Sequence, residues 1–280
     1  MRWKSRGRSG DIEDRRGQGG GLRRAAPIGI GGLVLLAVLS LVTGQDFLSE
    51  MVPNGTGPGT IDTPTAPAGP ASPEDARLED LVSFVLDDSQ DTWTRLLGNR
   101  YQRARLVLFT DAVESACGFA QSATGPFYCP ADQRVYIDLG FYRELRQRFG
   151  APGEFAQAYV LAHEIGHHVQ TVLGTEARVR DAQQSNPARA NDLSVRLELQ
   201  ADCYAGVWGH ETAPENLEAG DLEDGLNAAA AIGDDRIQRM GGGRVAPEKF
   251  THGSSAARVE WFRRGFESGR PETCDTFAAR

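Results

Sequence analysis

Hydrophobic positions after residue 72 recur mainly at the three- and four-residue spacing of helices. The first predicted helix is Pro73–Gly98, and a helical segment containing Trp93 is expected to continue it after a break. The other predicted helices are Phe141–Phe149, Glu154–Leu173, Pro187–Gly209, Leu222–Met240 with a break at Gly233, and Ser254–Glu267 capped by Ser254. Two segments have strand character: the apolar run Leu106–Phe109, and Gln133–Leu139, whose alternation predicts a half-exposed strand. The pattern predicts an α+β, helix-rich domain with a small sheet.

An uncharged run of 21 residues, 25–45, precedes this domain and lacks the polar face of an amphipathic helix. At about 1.5 Å per residue, such a helix spans the roughly 30 Å hydrocarbon core of a membrane. A buried core helix and a cleaved signal peptide are the alternatives. The long preceding head and the absence of a convincing cleavage site favour one uncleaved transmembrane helix.

The charges are distributed unevenly around this run. The whole chain carries a formal net charge of −8, so a generally basic nucleic-acid-binding protein is not expected. Residues 1–26 alone carry eight basic and three acidic side chains, a net +5. The positive-inside rule predicts a cytoplasmic head, residues 1–24, and an extracytoplasmic domain. Membrane contact is therefore predicted through one N-terminal helix.

Residues 46–72 are rich in Pro, Gly and Thr and read as a linker. The predicted organisation is a basic head over 1–24, an anchor over 25–45, this linker, and one folded domain over 73–280.

The domain contains Cys117, Cys129, Cys203 and Cys274, an even number that suggests two disulfides in an exported domain. Three pairings are possible. The short separation of Cys117 and Cys129 favours pairing them, and Cys203 with Cys274; four buried free thiols are the alternative.

The strongest chemical signal is His163-Glu164-Ile165-Gly166-His167 inside a predicted helix. Two histidines at i and i+4 share one helical face, so both imidazoles can reach one Zn²⁺. Glu164 lies beside them and can reach a water molecule at the metal without ligating. A pair of ordinary surface or core histidines is the alternative. His168 points away from this face and is expected to pack or form hydrogen bonds.

A catalytic zinc needs a third protein ligand. Glu198 and Asp202 are the best candidates, because they share one face of the next long helix at i, i+4 spacing. Glu198 is expected to ligate and Asp202 to orient a histidine. A solvated acidic helix face is the alternative reading of this pair.

A Glu-x-x-x-Asp sequence some thirty residues after His-Glu-x-x-His resembles the glutamate zincins. Longer strings resemble the bacterial neutral zinc metallopeptidase family of membrane-anchored proteins, over the head and residues 105–278. They include RWKSRGRSGDIEDRRG, SATGPFYCPADQRVYIDL, RFGAPGEFAQAYVLAHEIGHHVQ, RLELQADCYAGVW and FTHGSSAARVEWFRRGFESG. The resemblance implies a zincin-like metallopeptidase domain that binds Zn²⁺ and hydrolyses a peptide or protein substrate.

In the implied mechanism, Glu164 is the general base that deprotonates a water activated by zinc. The oxyanion of the transition state needs a donor, and His252 is the first choice, with Tyr136 and Tyr159 as weaker ones. A capping or packing role is the alternative for His252. The strand Gln133–Leu139 is expected to pair with an extended substrate.

A different class of function is also compatible with the sequence: a non-catalytic, zinc-stabilised envelope module that binds a partner. Glu164 discriminates between the two, since a purely structural zinc site needs no carboxylate beside an open metal position.

Overall fold

The computed structural model describes residues 1–17, 73–122, 125–149, 153–240 and 244–278. The described strands are β1 Ile12–Asp14, β2 Arg105–Phe109, β3 Ala112–Ser115, β4 Gly118–Gln121, β5 Phe127–Cys129 and β6 Arg134–Asp138. The described α-helices are α1 Pro73–Leu97, α2 Gly140–Phe149, α3 Glu154–Val172, α4 Thr175–Ser185, α5 Ala190–Asn216, α6 Asp221–Ala231, α7 Asp234–Met240 and α8 Ser255–Ser268. The predicted helix-rich α+β class is confirmed.

The sheet has the strand order β1-β2-β6-β5. Strands β1, β2 and β6 are parallel, and β5 pairs antiparallel with β6 at one edge. The strand predicted at 133–139 is present as β6, but it is not half-exposed, because Val135, Tyr136 and Ile137 are all buried. Helices cover one face of the sheet, and the separate β3–β4 hairpin covers Tyr136 on the other face through Val113.

Most helix predictions are confirmed, with three differences. Helix α1 continues through Trp93 without the expected break, because that indole is fully buried. The helix predicted from Pro187 begins at Ala190, after a 3₁₀ turn over Pro187–Arg189, and extends to Asn216. Helix α4 was not predicted; only Thr175 and Val179 on it are buried, so its hydrophobic periodicity is weak.

Close packing of α5 against α8 depends on two glycines. A Cβ at Gly206 would lie 2.0 Å from the Phe262 carbonyl oxygen, and one at Gly265 would lie 1.9 Å from the Cys203 carbonyl oxygen. No real Cβ approaches backbone this closely, so a side chain at either position would push the helices apart. The short interhelical distance holds the interior faces of α5 and α8 together next to α3.

Both predicted disulfides are present. Cys117–Cys129 ties the turn of the β3–β4 hairpin to β5, and Cys203–Cys274 ties α5 to the C-terminal 3₁₀ turn over Pro271–Cys274. The described residues contain no free cysteine, which rules out the alternative of four free thiols.

The folded unit contains more than the domain predicted to begin near Pro73. Residues 1–16 belong to the same compact unit as the helices and the sheet, and they supply β1. The predicted transmembrane helix at 25–45 and the linker at 46–72 lie outside the described residues. Among the helices that are described, none combines the length and the apolar character needed to cross a membrane.

Candidate metal centre

Helix α3 carries the two histidines of the motif and packs closely against α5. A Cβ at Gly166 would lie only 2.9 Å from the Ala201 carbonyl oxygen on α5. Glycine in the middle of a helix costs up to about 1 kcal/mol relative to alanine. Here it allows the two backbones to approach at the level of the histidines, so a side chain of α5 can reach them.

That side chain is Glu198. Its two carboxylate oxygens lie 3.2 Å from His163 Nε2 and 3.4 Å from His167 Nε2. One ligand atom from each of the three residues falls within 4.8 Å of the others. The structure therefore brings together the three residues predicted to be metal ligands.

Asp202 lies one helical turn beyond Glu198 and is fully buried. Its Oδ1 lies 2.9 Å from His163 Nδ1. A carboxylate only accepts, so His163 donates from Nδ1 and its Nε2 is free to ligate. Burial acts to raise the pKa of Asp202, but the charges and hydrogen bonds of Arg258 and His163 together outweigh it and keep that pKa below its usual value.

Arg258, on α8, holds Asp202 in place and was not predicted. Its guanidinium donates from Nε to Asp202 Oδ2 at 2.8 Å and from Nη2 to Oδ1 at 2.9 Å, a two-point contact. The hydroxyl of Tyr159 also donates to Asp202 Oδ1. Arg258 is itself 1% exposed, so the arginine and the carboxylate form a buried ion pair directly behind His163.

Gln170 performs the corresponding role for His167, and it too was not predicted. Its amide nitrogen donates to the Leu197 carbonyl oxygen at 2.6 Å, which fixes the orientation of the amide. Its Oε1 then accepts from His167 Nδ1 at 2.8 Å, and His167 Nε2 is left facing Glu198. The i, i+3 spacing of these two residues on α3 is the signal from which this contact could have been predicted.

Glu164 lies beside the histidines and is 8% exposed. Burial raises the pKa of its carboxyl above the ordinary value. Among the described residues, none donates a hydrogen bond to this carboxylate. A carboxylate with a raised pKa and no fixed partner is well suited to accept a proton from a water molecule.

A cavity of about 660 Å³ opens over these residues. His163, Glu164, His167 and Glu198 all line it. Its wall also includes Phe127, Tyr128, Phe141, Val160, Leu197 and Ile232. The candidate ligand residues thus share a cleft with many apolar side chains, the usual composition of a ligand site.

His252 lines the same cavity from the loop before α8, and its side chain is 52% exposed. Asp234 holds this loop: its Oδ2 accepts from the backbone N–H groups of Thr251, His252 and Gly253 at 2.8, 2.6 and 2.9 Å. The other carboxylate oxygen lies 3.3 Å from His252 Nδ1. His252 therefore sits at the cavity with its ring oriented by an acid.

The two tyrosines predicted as weaker oxyanion donors are both engaged elsewhere. Tyr136 donates its hydroxyl proton to Asp132 at 2.7 Å, and its ring lies in the cluster under the β3–β4 hairpin. Tyr159 donates to Asp202 behind the histidine. Of the predicted donors, His252 alone lines the cavity.

His168 is fully buried and faces away from the ligand cluster, as predicted. Its Nε2 donates to the Gln102 carbonyl oxygen at 2.6 Å, and Nδ1 lies 3.1 Å from the Tyr128 hydroxyl. Burial lowers its pKa, so it packs as a neutral ring.

The strand that borders the cavity is β5, and not the predicted strand 133–139. Strand β6 has β2 on one side and β5 on the other, so neither of its edges is free for an extended substrate. Strand β5 is one of the two edge strands of the sheet, and its residues Phe127 and Tyr128 line the cavity.

The donor set fits a zinc ion. Two imidazoles and one carboxylate are a known protein ligand set of catalytic zinc, in which a fourth position remains open. His163, His167 and Glu198 would hold the ion, and Asp202 and Gln170 fix the histidine tautomers that such binding requires.

We expect Glu198→Ala to lower zinc occupancy strongly, because it removes one of three ligand groups. The matched control is Glu176→Ala, since Glu176 lines the same cavity but is not in the ligand cluster. Zinc content after dialysis against a weak chelator, measured by elemental analysis, compares the two. Full zinc retention by Glu198→Ala would show that another residue ligates.

Comparison with known proteins agrees with this site. The model of the neutral zinc metallopeptidase family matches residues 1–277, and the chain belongs to that family. It is 48% identical to Uncharacterized protein YpfJ of Escherichia coli (strain K12) over 288 aligned positions, covering 99% of each chain. Uncharacterized protein Rv2575 of Mycobacterium tuberculosis is 46% identical over 199 positions, covering 67% of this chain and 66% of the relative. No solved structure gives a significant match.

Proposed function

We propose that this protein is a zinc peptidase that hydrolyses peptide bonds, with Glu164 as general base. The observation that carries the proposal is the position of Glu164. Its buried carboxylate lines the same cavity as the three ligand residues. Bound zinc would supply Lewis-acid polarisation of the scissile carbonyl and a lowered pKa for a nucleophilic water.

The residues of the chain supply the remaining steps. Glu164 accepts a proton from the attacking water and passes it to the leaving amine. His252, oriented by Asp234, is our candidate for the donor to the developing oxyanion. An extended substrate pairs with the free edge of β5, which places its backbone along the cavity wall.

A non-catalytic binding module explains the cavity less well. Such a module gains nothing from burying a carboxylate beside an open ligand position, because burial of an unpaired acid is unfavourable. The raised pKa of Glu164 is the expected consequence of that burial and suits proton transfer.

We also propose that the enzyme works outside the cytoplasm. The two disulfides support this location, because such bonds persist in oxidising compartments and are rare in the cytosol. The uncharged run at 25–45 is the candidate for membrane attachment.

We expect the full chain, produced in an oxidising compartment, to hold one zinc and to cleave casein or a random peptide library. A chelator should abolish cleavage and added zinc should restore it, because the ion is part of the reaction. Mass spectrometry of the products identifies the cut bonds. A protein that holds one zinc and cleaves nothing in either substrate would favour the binding module.

A further inference from the structure

Residues 1–16 are held on the folded unit by a strand pairing. In β1, Ile12, Glu13 and Asp14 pair in parallel with Leu106, Val107 and Leu108 of β2. Hydrogen bonds continue on both sides, from Leu106 N–H to the Asp11 carbonyl at 2.9 Å and from Arg15 N–H to the Leu108 carbonyl at 2.8 Å. Strand β2, whose Leu106, Val107 and Leu108 are fully buried, would otherwise be an edge strand.

A second contact anchors the beginning of this segment. The indole of Trp3 stacks on Phe84 of α1 with the ring centroids 5.7 Å apart. Its Nε1 donates to Glu154 at the start of α3 at 3.0 Å. The segment therefore touches the sheet, α1 and α3.

The charges of the segment are also paired with the rest of the unit. Arg16 Nη2 lies 2.6 Å from Glu79 of α1, and the Ser9 hydroxyl donates to Asp87 of the same helix at 2.7 Å. Asp11 in turn lies 2.7 Å from Arg103 Nε. These contacts tie an arginine, a serine and an aspartate of the segment to the rest of the unit.

In the strand order of the sheet, the segment lies at the edge opposite to the one that borders the cavity. Strand β1 is at one edge and β5, which borders the cavity, is at the other. No residue of the segment lines the cavity. The segment thus completes the fold and does not cover the candidate active site.

We infer that residues 1–16 lie on the same side of the membrane as residues 73–278. One crossing by residues 25–45 would place them on opposite sides, where β1 cannot reach β2. Two crossings need roughly 40 apolar residues, and the uncharged run has 21. A single membrane crossing between residues 16 and 73 is therefore incompatible with the pairing of β1 with β2.

Labelling of single cysteines in intact spheroplasts tests this inference. Lys4→Cys places a thiol on the segment and Asn99→Cys places one on the domain; both positions are exposed, and the native cysteines are consumed in disulfides. A membrane-impermeant maleimide should label both variants of the full chain to a similar extent before lysis. Labelling of Asn99→Cys before lysis and of Lys4→Cys only after lysis would overturn the inference.

If neither cysteine is labelled until lysis, the two parts still share a compartment and the inference stands. The extracytoplasmic location proposed above then fails, so the two failures are distinguishable.

A second measurement, made after detergent lysis of the spheroplasts, tests the strand pairing itself. Ile12→Asp places a charge on the buried β1 residue, and Lys4→Ala changes an exposed residue of the same segment. We expect Ile12→Asp to become sensitive to added protease at concentrations that leave Lys4→Ala intact. Equal protease resistance of both variants would show that β1 does not join the domain in the cell.

Discussion

Asp202→Ala is expected to destabilise the fold by about 3–5 kcal/mol, because it leaves the guanidinium of Arg258 buried without its partner. For a domain of this size, that loss corresponds to a fall in melting temperature of roughly 6–20 °C. Zinc affinity should also fall about 10–100-fold, since His163 loses the acceptor of its Nδ1 proton. Thermal unfolding and zinc titration of the purified full chain measure the two effects.

A matched control and a double variant separate the two effects. Asp192, on the same helix, has a 49% exposed side chain and pairs with Arg196, so Asp192→Ala should cost at most about 1 kcal/mol. Asp202→Leu combined with Arg258→Met removes both charges and should recover much of the stability. It should not recover zinc affinity. An Asp202→Ala protein with the stability and zinc affinity of Asp192→Ala would contradict this account.

The three candidate ligand residues could be predicted from the sequence because the spacings that mark them are local. His163 and His167 lie one helical turn apart in an apolar helix. The contact of Gly166 with α5, by contrast, cannot be predicted from the sequence. Glu198 followed from its i, i+4 spacing to Asp202 on the next long helix. Helical periodicity alone does not say which helix faces which.

Arg258 could not be predicted in the same way. It lies 56 residues after Asp202 and on a different helix, so no spacing rule connects them. Sequence reasoning treats arginine as a surface residue by default. Only the close approach of α5 and α8, which depends on Gly206 and Gly265, makes a buried pair there possible.

The N-terminal segment shows a different limit of sequence reasoning. A count of basic residues before an apolar run predicts a cytoplasmic head, because the positive-inside rule uses only sign and position. The count cannot reveal that Arg16 has a carboxylate partner on α1 or that Ile12 is buried beside β2. These pairings join residues about 60 to 90 positions apart.

The burial of both faces of β6 could not be predicted from the sequence, for a related reason. Apolar residues alternate with Tyr136 and Asp138 along it, which is typical of a strand with one solvent-exposed face. Tyr136 fills its second face because the β3–β4 hairpin packs there. Each strand of the hairpin has only four residues, so its packing could not be predicted from hydrophobic periodicity.

The second large effect is expected for Glu164→Gln. The amide has nearly the size of the carboxyl but cannot accept a proton from water, so peptide hydrolysis should fall by about 10²–10⁴-fold. The ligand residues are unchanged, and none of the described residues donates a hydrogen bond to this carboxylate. Zinc content and melting temperature should therefore match the wild type.

Glu144→Gln is the matched control, since Glu144 lines the same cavity outside the ligand cluster. The same isosteric change is made there without touching the proposed general base. We expect Glu144→Gln to alter KM at most a few-fold and to keep kcat.

Whether Glu164 makes the candidate zinc site catalytic is tested by kcat/KM on one cleaved peptide for three zinc-loaded full chains. These are the wild type, Glu164→Gln and Glu144→Gln. We expect chelator-sensitive cleavage by the wild type and Glu144→Gln, and a loss of at least about 100-fold in Glu164→Gln at equal zinc content. Equal rates in all three proteins would contradict this expectation.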